Sequence, residues 1–179
     1  MDLLKIIKER RSIRRFMDKP ISDDIIDRLL ESIQWAPSWA NTQCWEIILV
    51  KNNGQKESLQ KCLGKGNPAS KGLLEAPVVF AFCAKRAVSG FYKGEVTTNK
   101  GDWYMFDIGL SVQNFCITAY ALGLGTVIVG LFDADEAEKV LSIPSGYSIV
   151  AIVPTGYPAR ETKAPPRKDV KDFLHHEKF

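Results

Sequence analysis

WYMFDIGLSVQNFCITAYALGLGT, residues 103–126, is the stretch on which the fold turns. Its apolar residues from Trp103 to Leu122 cover more than one face of a helix, and Gly123 then stops it, because glycine takes the left-handed cap conformation without steric cost. A helix of that kind is either central to a core or laid against another subunit. Downstream, Thr126–Val129 reads as a short strand. Asp133 with Glu136 three residues on forms a capping box for a helix to Leu141, and Ser148–Val153 as a last strand. Upstream, Val78–Ala84 is a buried strand by its β-branched and aromatic content. Residues 85–102 between them are irregular, with Phe91 and Tyr92 exposed.

Further toward the N-terminus, residues 55–63 are helical, 64–70 are loop and Lys71–Glu75 form one more turn. Trp45–Val50 is a strand. Ser22 caps a helix whose first turn carries Asp23 and Asp24 and whose stripe is Ile25, Ile26, Leu29, Leu30, Ile33 and Ala36, ended by Pro37. Asp2–Glu9 make a first short helix. Such alternation of helices and strands, taken alone, points to a parallel α/β sheet.

The chain has 179 residues, 45% hydrophobic and 25% charged, which places it among single globular domains able to bury a core. The net charge of +3 is unevenly spread: residues 1–15 carry six basic and two acidic side chains, residues 158–179 six and four, and the body twelve and fifteen. Two basic ends on an acidic body suit a local anion site better than an extended nucleic-acid face. The N-terminus interrupts its apolar residues with charges, unlike a signal peptide, and the longest apolar run, 76–84, is too short to cross a bilayer. A reduced cytoplasmic setting with no membrane partner is the expectation.

The densest basic cluster is RRSIRRF, Arg10–Phe16. If the first helix ran on through it, Leu3, Ile7, Arg10 and Arg14 would lie along one stripe, and cations there would need an anion. A solvated helix end is the plainer reading, since arginine also suits the negative end of the helix dipole.

Several familiar chemistries lack their residues. Gly123, Gly125 and Gly130 follow a helix and precede a strand, the reverse of a dinucleotide fingerprint. No phosphate-binding GxxxxGK[ST] loop or GxSxG elbow occurs. Cys44, Cys62, Cys83 and Cys116 form no CxxC pair, and the adjacent His175 and His176 sit in the tail, so no metal-ligand spacing exists. Any enzymatic chemistry therefore points to a bound organic cofactor.

Five segments in register, RRSIRRF, APSWANTQCW, DIGLSVQNFCITAYALGLGT, VIVGLF and the APPRKD tail, together resemble the nitroreductase family of FMN-dependent oxidoreductases, of which this would be a compact member. The resemblance implies an α+β fold with a mixed sheet flanked by helices, overriding the parallel-sheet guess. It also implies an intertwined homodimer with two interfacial FMN sites, in which residues 158–179 wrap the partner. Carried over by position, Arg10, Arg11 and Ser12 would hold the FMN phosphate and ribityl chain, as fork-shaped cations and a hydroxyl suit a dianion. Arg14 would lie near flavin N1 and O2. Arg167, with Lys168, would return to the phosphate. Pro37, Ser38, Trp39 and Asn41, with Gln43 as a further candidate, would reach the flavin of the other subunit. The backbone of Val129 and Gly130 would face N5.

No side chain is implied as catalytic, because the flavin carries the chemistry. Pro37 is equally a helix stop, Ser38 and Asn41 ordinary turn residues, Gly125 and Gly130 strand-end glycines, and Trp39 and Trp45 core or interface aromatics. Cys44 stands where the family usually has proline. Lys71 aligns only loosely with a flavin-contacting lysine, Arg15 has no assigned partner, and His175 and His176 read as solvated.

The implied activity is hydride transfer from NADH or NADPH through FMN to a nitroaromatic, quinone or activated alkene, with Phe91, Tyr92 and loop 85–102 facing the acceptor. The alternatives are specialised flavin chemistry in the same family, such as dehalogenation or flavin breakdown, and a non-catalytic flavin- or anion-binding module.

Overall fold

The computed structural model describes residues 2–179. Its elements are α1 (Leu3–Glu9), α2 (Asp23–Gln34), β1 (Trp45–Val50), α3 (Asn53–Cys62), α4 (Ser70–Glu75) and β2 (Val78–Lys85). After these come β3 (Phe91–Tyr92), β4 (Glu95–Val96), α5 (Tyr104–Ala121), β5 (Gly125–Thr126), α6 (Ala134–Val140) and β6 (Tyr147–Gly156). Short 3-10 turns occupy Trp39–Asn41 and Val170–Asp172.

β2 explains the layering. Its seven residues from Val78 to Ala84 are all buried, so successive side chains, which alternate across a strand, must be covered on both faces. Val78, Phe80, Phe82 and Ala84 pack with Ile26, Leu29 and Ile33 of α2 and with Ile108, Val112, Phe115, Cys116 and Ala119 of α5. Val79, Ala81 and Cys83 face the other layer, where Leu59 and Cys62 of α3, Leu73 of α4 and Ala137 of α6 join Ile13, Phe16 and Val129. Phe115 meets the rings of Phe80 and Phe82 edge-on, with centroids 4.7 and 5.4 Å away. The long helix is therefore central to the core.

The sheet runs β1-β2-β6-β5, and every ladder in it is antiparallel. The α+β class expected from the family resemblance holds. The parallel arrangement suggested by element order does not form, because buried apolar strands look alike in sequence whichever way they run. A parallel pairing enters only at the outer edge of β5, as an isolated bridge between Ser12 and Thr126.

That bridge corrects the reading of the basic cluster. α1 stops at Glu9, and Arg10 already has extended backbone (ψ 134°). The Ile13 N–H donates to the Thr126 carbonyl at 2.8 Å, and Ile13 and Phe16 enter the core. Burial and pairing override helix continuation, so no Leu3–Ile7–Arg10–Arg14 helical stripe exists. Gly125 makes the approach possible: a Cβ there would stand 2.5 Å from Cγ1 of Ile13.

Two caps differ from expectation. Ser22 occupies the N-cap of α2 but makes no side-chain capping bond. Asp133 accepts from the Glu136 N–H, but the Glu136 carboxylate is engaged by Lys139 at 2.6 Å, so the capping box is half formed. Loop 85–102 is more ordered than its sequence reads: β3 and β4 form a small hairpin turning at Lys93 and Gly94, both at positive φ. Tyr92 is exposed as expected, whereas Phe91 is half-buried. From Ala159 to Phe179 every residue is exposed. The four cysteines are free and buried.

Candidate functional site

Because residues 10–14 run extended, at about 3.3 Å per residue, Arg10 and Arg14 lie roughly 13 Å apart along the chain. Arg10 lines a cavity that Arg14 does not. At the near end, Arg10 and Arg11 line a cavity of about 940 Å³ between the ends of α1 and α5, the start of β5 and residues 158–162. Lys5 and Arg160 add positive charge to it, and Glu9 and Glu161 oppose it. Arg11 folds back so that Nη1 donates to the carbonyls of Lys8 (2.6 Å) and Arg10 (2.8 Å), where a cation meets the C-terminal dipole of α1.

At the far end, Arg14 is half-buried. Its Nη1 makes one long contact, 3.5 Å, to the Ser12 carbonyl, and its Nε is buried without a partner. A buried N–H lacking an acceptor costs about 1–3 kcal/mol, so this atom calls for an acceptor from outside the described chain. The main chain of Arg14 is fixed from behind. Gly72 in α4 packs so closely that a Cβ there would lie 2.4 Å from the Arg14 carbonyl oxygen.

Next to it, the Arg15 Nε donates to both carboxylate oxygens of Glu75 (3.0 and 2.8 Å), and Glu75 also accepts the Phe16 N–H at 3.3 Å. Arg15 thus has a partner that sequence reading did not assign. The same hydrogen bond holds the Glu75 carboxyl below the ordinary carboxylate range. Lys71 is exposed and 4.0 Å from Glu75.

The turn after α2 is the most strained segment of the chain. Ala40, Asn41 and Gln43 all have positive φ (46°, 58° and 49°), a region side chains other than glycine rarely adopt. Internally, the Ser38 Oγ accepts from the Gln43 N–H at 2.9 Å, and the Asn41 Oδ1 from the Gln43 side-chain amide at 3.3 Å. Externally, the turn hangs on Asp107, a wholly buried carboxylate of α5. Its Oδ1 accepts the Trp39 N–H at 3.0 Å. Its Oδ2 accepts Ser89 Oγ at 2.6 Å, with Thr42 Oγ1 at 3.5 Å and Cys44 Sγ at 3.7 Å. Burial pushes the Cys44 thiol up, so it serves as a packed, protonated donor. Sequence reasoning missed Asp107; its signal was one acid inside an otherwise apolar helix.

Two sequence assignments change in detail. Val129 donates its N–H to the Ile152 carbonyl at 2.9 Å, and is therefore committed to the sheet; of the pair, Gly130 remains the exposed member. Arg167 and Lys168 are exposed in the tail and do not line the cavity with Arg10, whereas Arg160 and Glu161 do. Among the described residues no group of three or more His, Cys, Asp or Glu gathers as a metal site, and no helix is long and apolar enough to cross a membrane.

The family model for the nitroreductase family matches residues 7–157 of this chain. The chain belongs to the nitroreductase family. An Archaeoglobus fulgidus protein provisionally named an NADH dehydrogenase/NAD(P)H nitroreductase is 30% identical over 96% of this chain and 89% of its own length. The FMN reductase (NAD(P)H) of Bacillus subtilis is 28% identical, covering 99% of this chain and 74% of that protein. A nitroreductase family protein of Clostridium difficile 630 superimposes with a TM-score of 0.86 over the full length of both chains at 18% identity, a likeness of fold.

Proposed function

We propose that this nitroreductase family chain is an FMN-dependent NAD(P)H oxidoreductase acting as a homodimer. The observation that carries the reading is the 10–14 segment, with cations at one end and a buried Arg14 Nε lacking an acceptor at the other. The residues fit the cofactor. Arg10, Arg11 and the Ser12 hydroxyl would hold the phosphate and ribityl chain, and Arg14 would give its free Nε to the N1 and O2 edge of the ring. Bound FMN would supply the redox chemistry, accepting hydride from NAD(P)H and delivering it to the acceptor.

The chain's own part is to bind, orient and exclude water. Arg14, held by Gly72, would place a positive charge where negative charge builds up on reduction. The Ser38–Asn41 turn, with Pro37 and Gln43, would cover the ring bound to the partner, and Gly130 would present its backbone from the other side. Leu3, Leu4, Met105 and Phe106, each more than half exposed, supply apolar surface for a second copy. In that dimer residues 158–179 wrap the partner and bring Arg167 and Lys168 to a phosphate. Tyr92 on the hairpin would face the acceptor, a nitroaromatic, quinone or activated alkene. NADH or NADPH serves as reductant.

The test is the visible spectrum of the purified protein, followed by anaerobic additions of NADH and of NADPH. A yellow protein bleached by either and reoxidised by a quinone is the expected result. A colourless protein that takes up no added FMN ends the proposal.

A further inference from the structure

The Asp107 network joins two segments that are far apart in sequence and that the proposed function assigns to the flavin and its acceptor. One is the Ser38–Gln43 turn, tied through the Trp39 N–H and the Thr42 hydroxyl. The other is loop 85–102, tied through Ser89, which is itself fully buried and shares a 2.6 Å hydrogen bond with Thr42. That loop is pinned again at its base: the Trp103 N–H donates to the Ser89 carbonyl (3.0 Å), and Trp103 Nε1 to Thr98 Oγ1 (2.9 Å). A Cβ on Gly90 would sit 2.5 Å from the Gly101 carbonyl oxygen and 2.6 Å from the Trp103 ring.

The turn holds three side-chain-bearing residues at positive φ, a conformation that persists only where surroundings over-determine it. A buried carboxylate gripping the Trp39 N–H is such a determinant, because charge-assisted bonds are short and strong in a dry interior. We propose that Asp107 is a positioning residue: its carboxylate holds the Ser38–Gln43 turn in its flavin-binding shape and couples it through Ser89 to the hairpin loop. This rests on the FMN reading above.

The test compares dimers of wild type, Asp107→Asn and Ser89→Ala, stripped of flavin. Each is titrated with FMN by quenching of flavin fluorescence, and the melting temperature of the apo-protein is measured alongside. Asp107→Asn keeps the shape but turns one acceptor oxygen into a donor facing hydroxyls. The FMN Kd is expected to rise about tenfold, the scale of one lost charge-assisted bond, with a smaller rise in the same direction for Ser89→Ala. The visible circular dichroism of bound flavin is expected to change in both. A lower melting temperature with Kd and dichroism unchanged marks a merely structural network and overturns the proposal. Should Asp107→Asn fail to fold, Ser89→Ala decides by the same two readings. If the wild-type dimer itself takes up no FMN, the functional reading falls and this inference falls with it; wild-type binding with unaltered variants sinks the inference alone.

Discussion

Arg14 and Arg15 are neighbours with opposite situations: one leaves a buried Nε without an acceptor, the other spends its Nε on Glu75. If Arg14 meets the flavin edge, Arg14→Gln removes a cation from beside the charge formed on reduction. The midpoint potential of bound FMN is then expected to fall, by roughly 30 mV for each 1.4 kcal/mol of stabilisation lost in a two-electron couple. Dye-equilibrated potentiometry reads this directly, and an unchanged potential places Arg14 elsewhere.

For Glu75 the consequence is a pH dependence. Its carboxyl is depressed in the folded chain by the hydrogen bond from Arg15, so near its ordinary value the unfolded chain binds more protons than the folded one. The contact therefore stabilises fully above about pH 4.3 and is lost as pH falls through the lower folded value. Glu75→Gln is expected to melt lower than wild type at pH 6, and the difference to shrink as the pH is lowered below the ordinary carboxylate range. Parallel melting curves across that range would contradict the assignment. The basic cluster itself was legible in sequence, but this division of labour was not, because Glu75 lies sixty residues beyond Arg15.

Among the elements, α4 is short but its placement is exacting. Gly72→Ala sets a methyl group 2.4 Å from the Arg14 carbonyl oxygen, so α4 or the basic segment must move. Overpacking of this kind typically costs about 1–3 kcal/mol, and a fall in melting temperature with weaker FMN binding is expected. The tail makes the opposite case: Val170, Phe173 and Leu174 are all more than half exposed on the single chain. Truncation after Pro158 is expected to lower FMN affinity and to shift dimer toward monomer in analytical ultracentrifugation. An intact yellow dimer after that cut would rule out a wrapping role.

Element boundaries were largely readable, as Trp45–Val50 shows, since burial periodicity and turn residues are local signals. α1 was misjudged only in its possible continuation. What ended it was a pairing with Thr126, more than a hundred residues away.

For the molecule as a whole, the direction of the strands was not legible. β2 is apolar from Val78 to Ala84 because helices cover both sides of the sheet, and that composition is shared by parallel and antiparallel strands. The family resemblance supplied the class, and the ladders then fixed the directions. The partners of Asp107 were unreadable for a related reason: an acid in an apolar helix marks a buried polar site, but the turn and loop that converge on it lie far away in sequence.

The burial of all four cysteines gives the chain an internal clock. Thiolates, not thiols, attack disulfide reagents, and burial pushes Cys83, on the central strand, up to about 12. Native protein should therefore be silent toward such a reagent, and each thiol should react only when its own layer opens. Cys62 reports the layer of α3, α4 and α6, and Cys116 the layer of α2 and α5. Mass-resolved labelling during slow denaturation should show whether the two layers part together or in turn. Rapid labelling of all four thiols in native buffer would contradict the packing described.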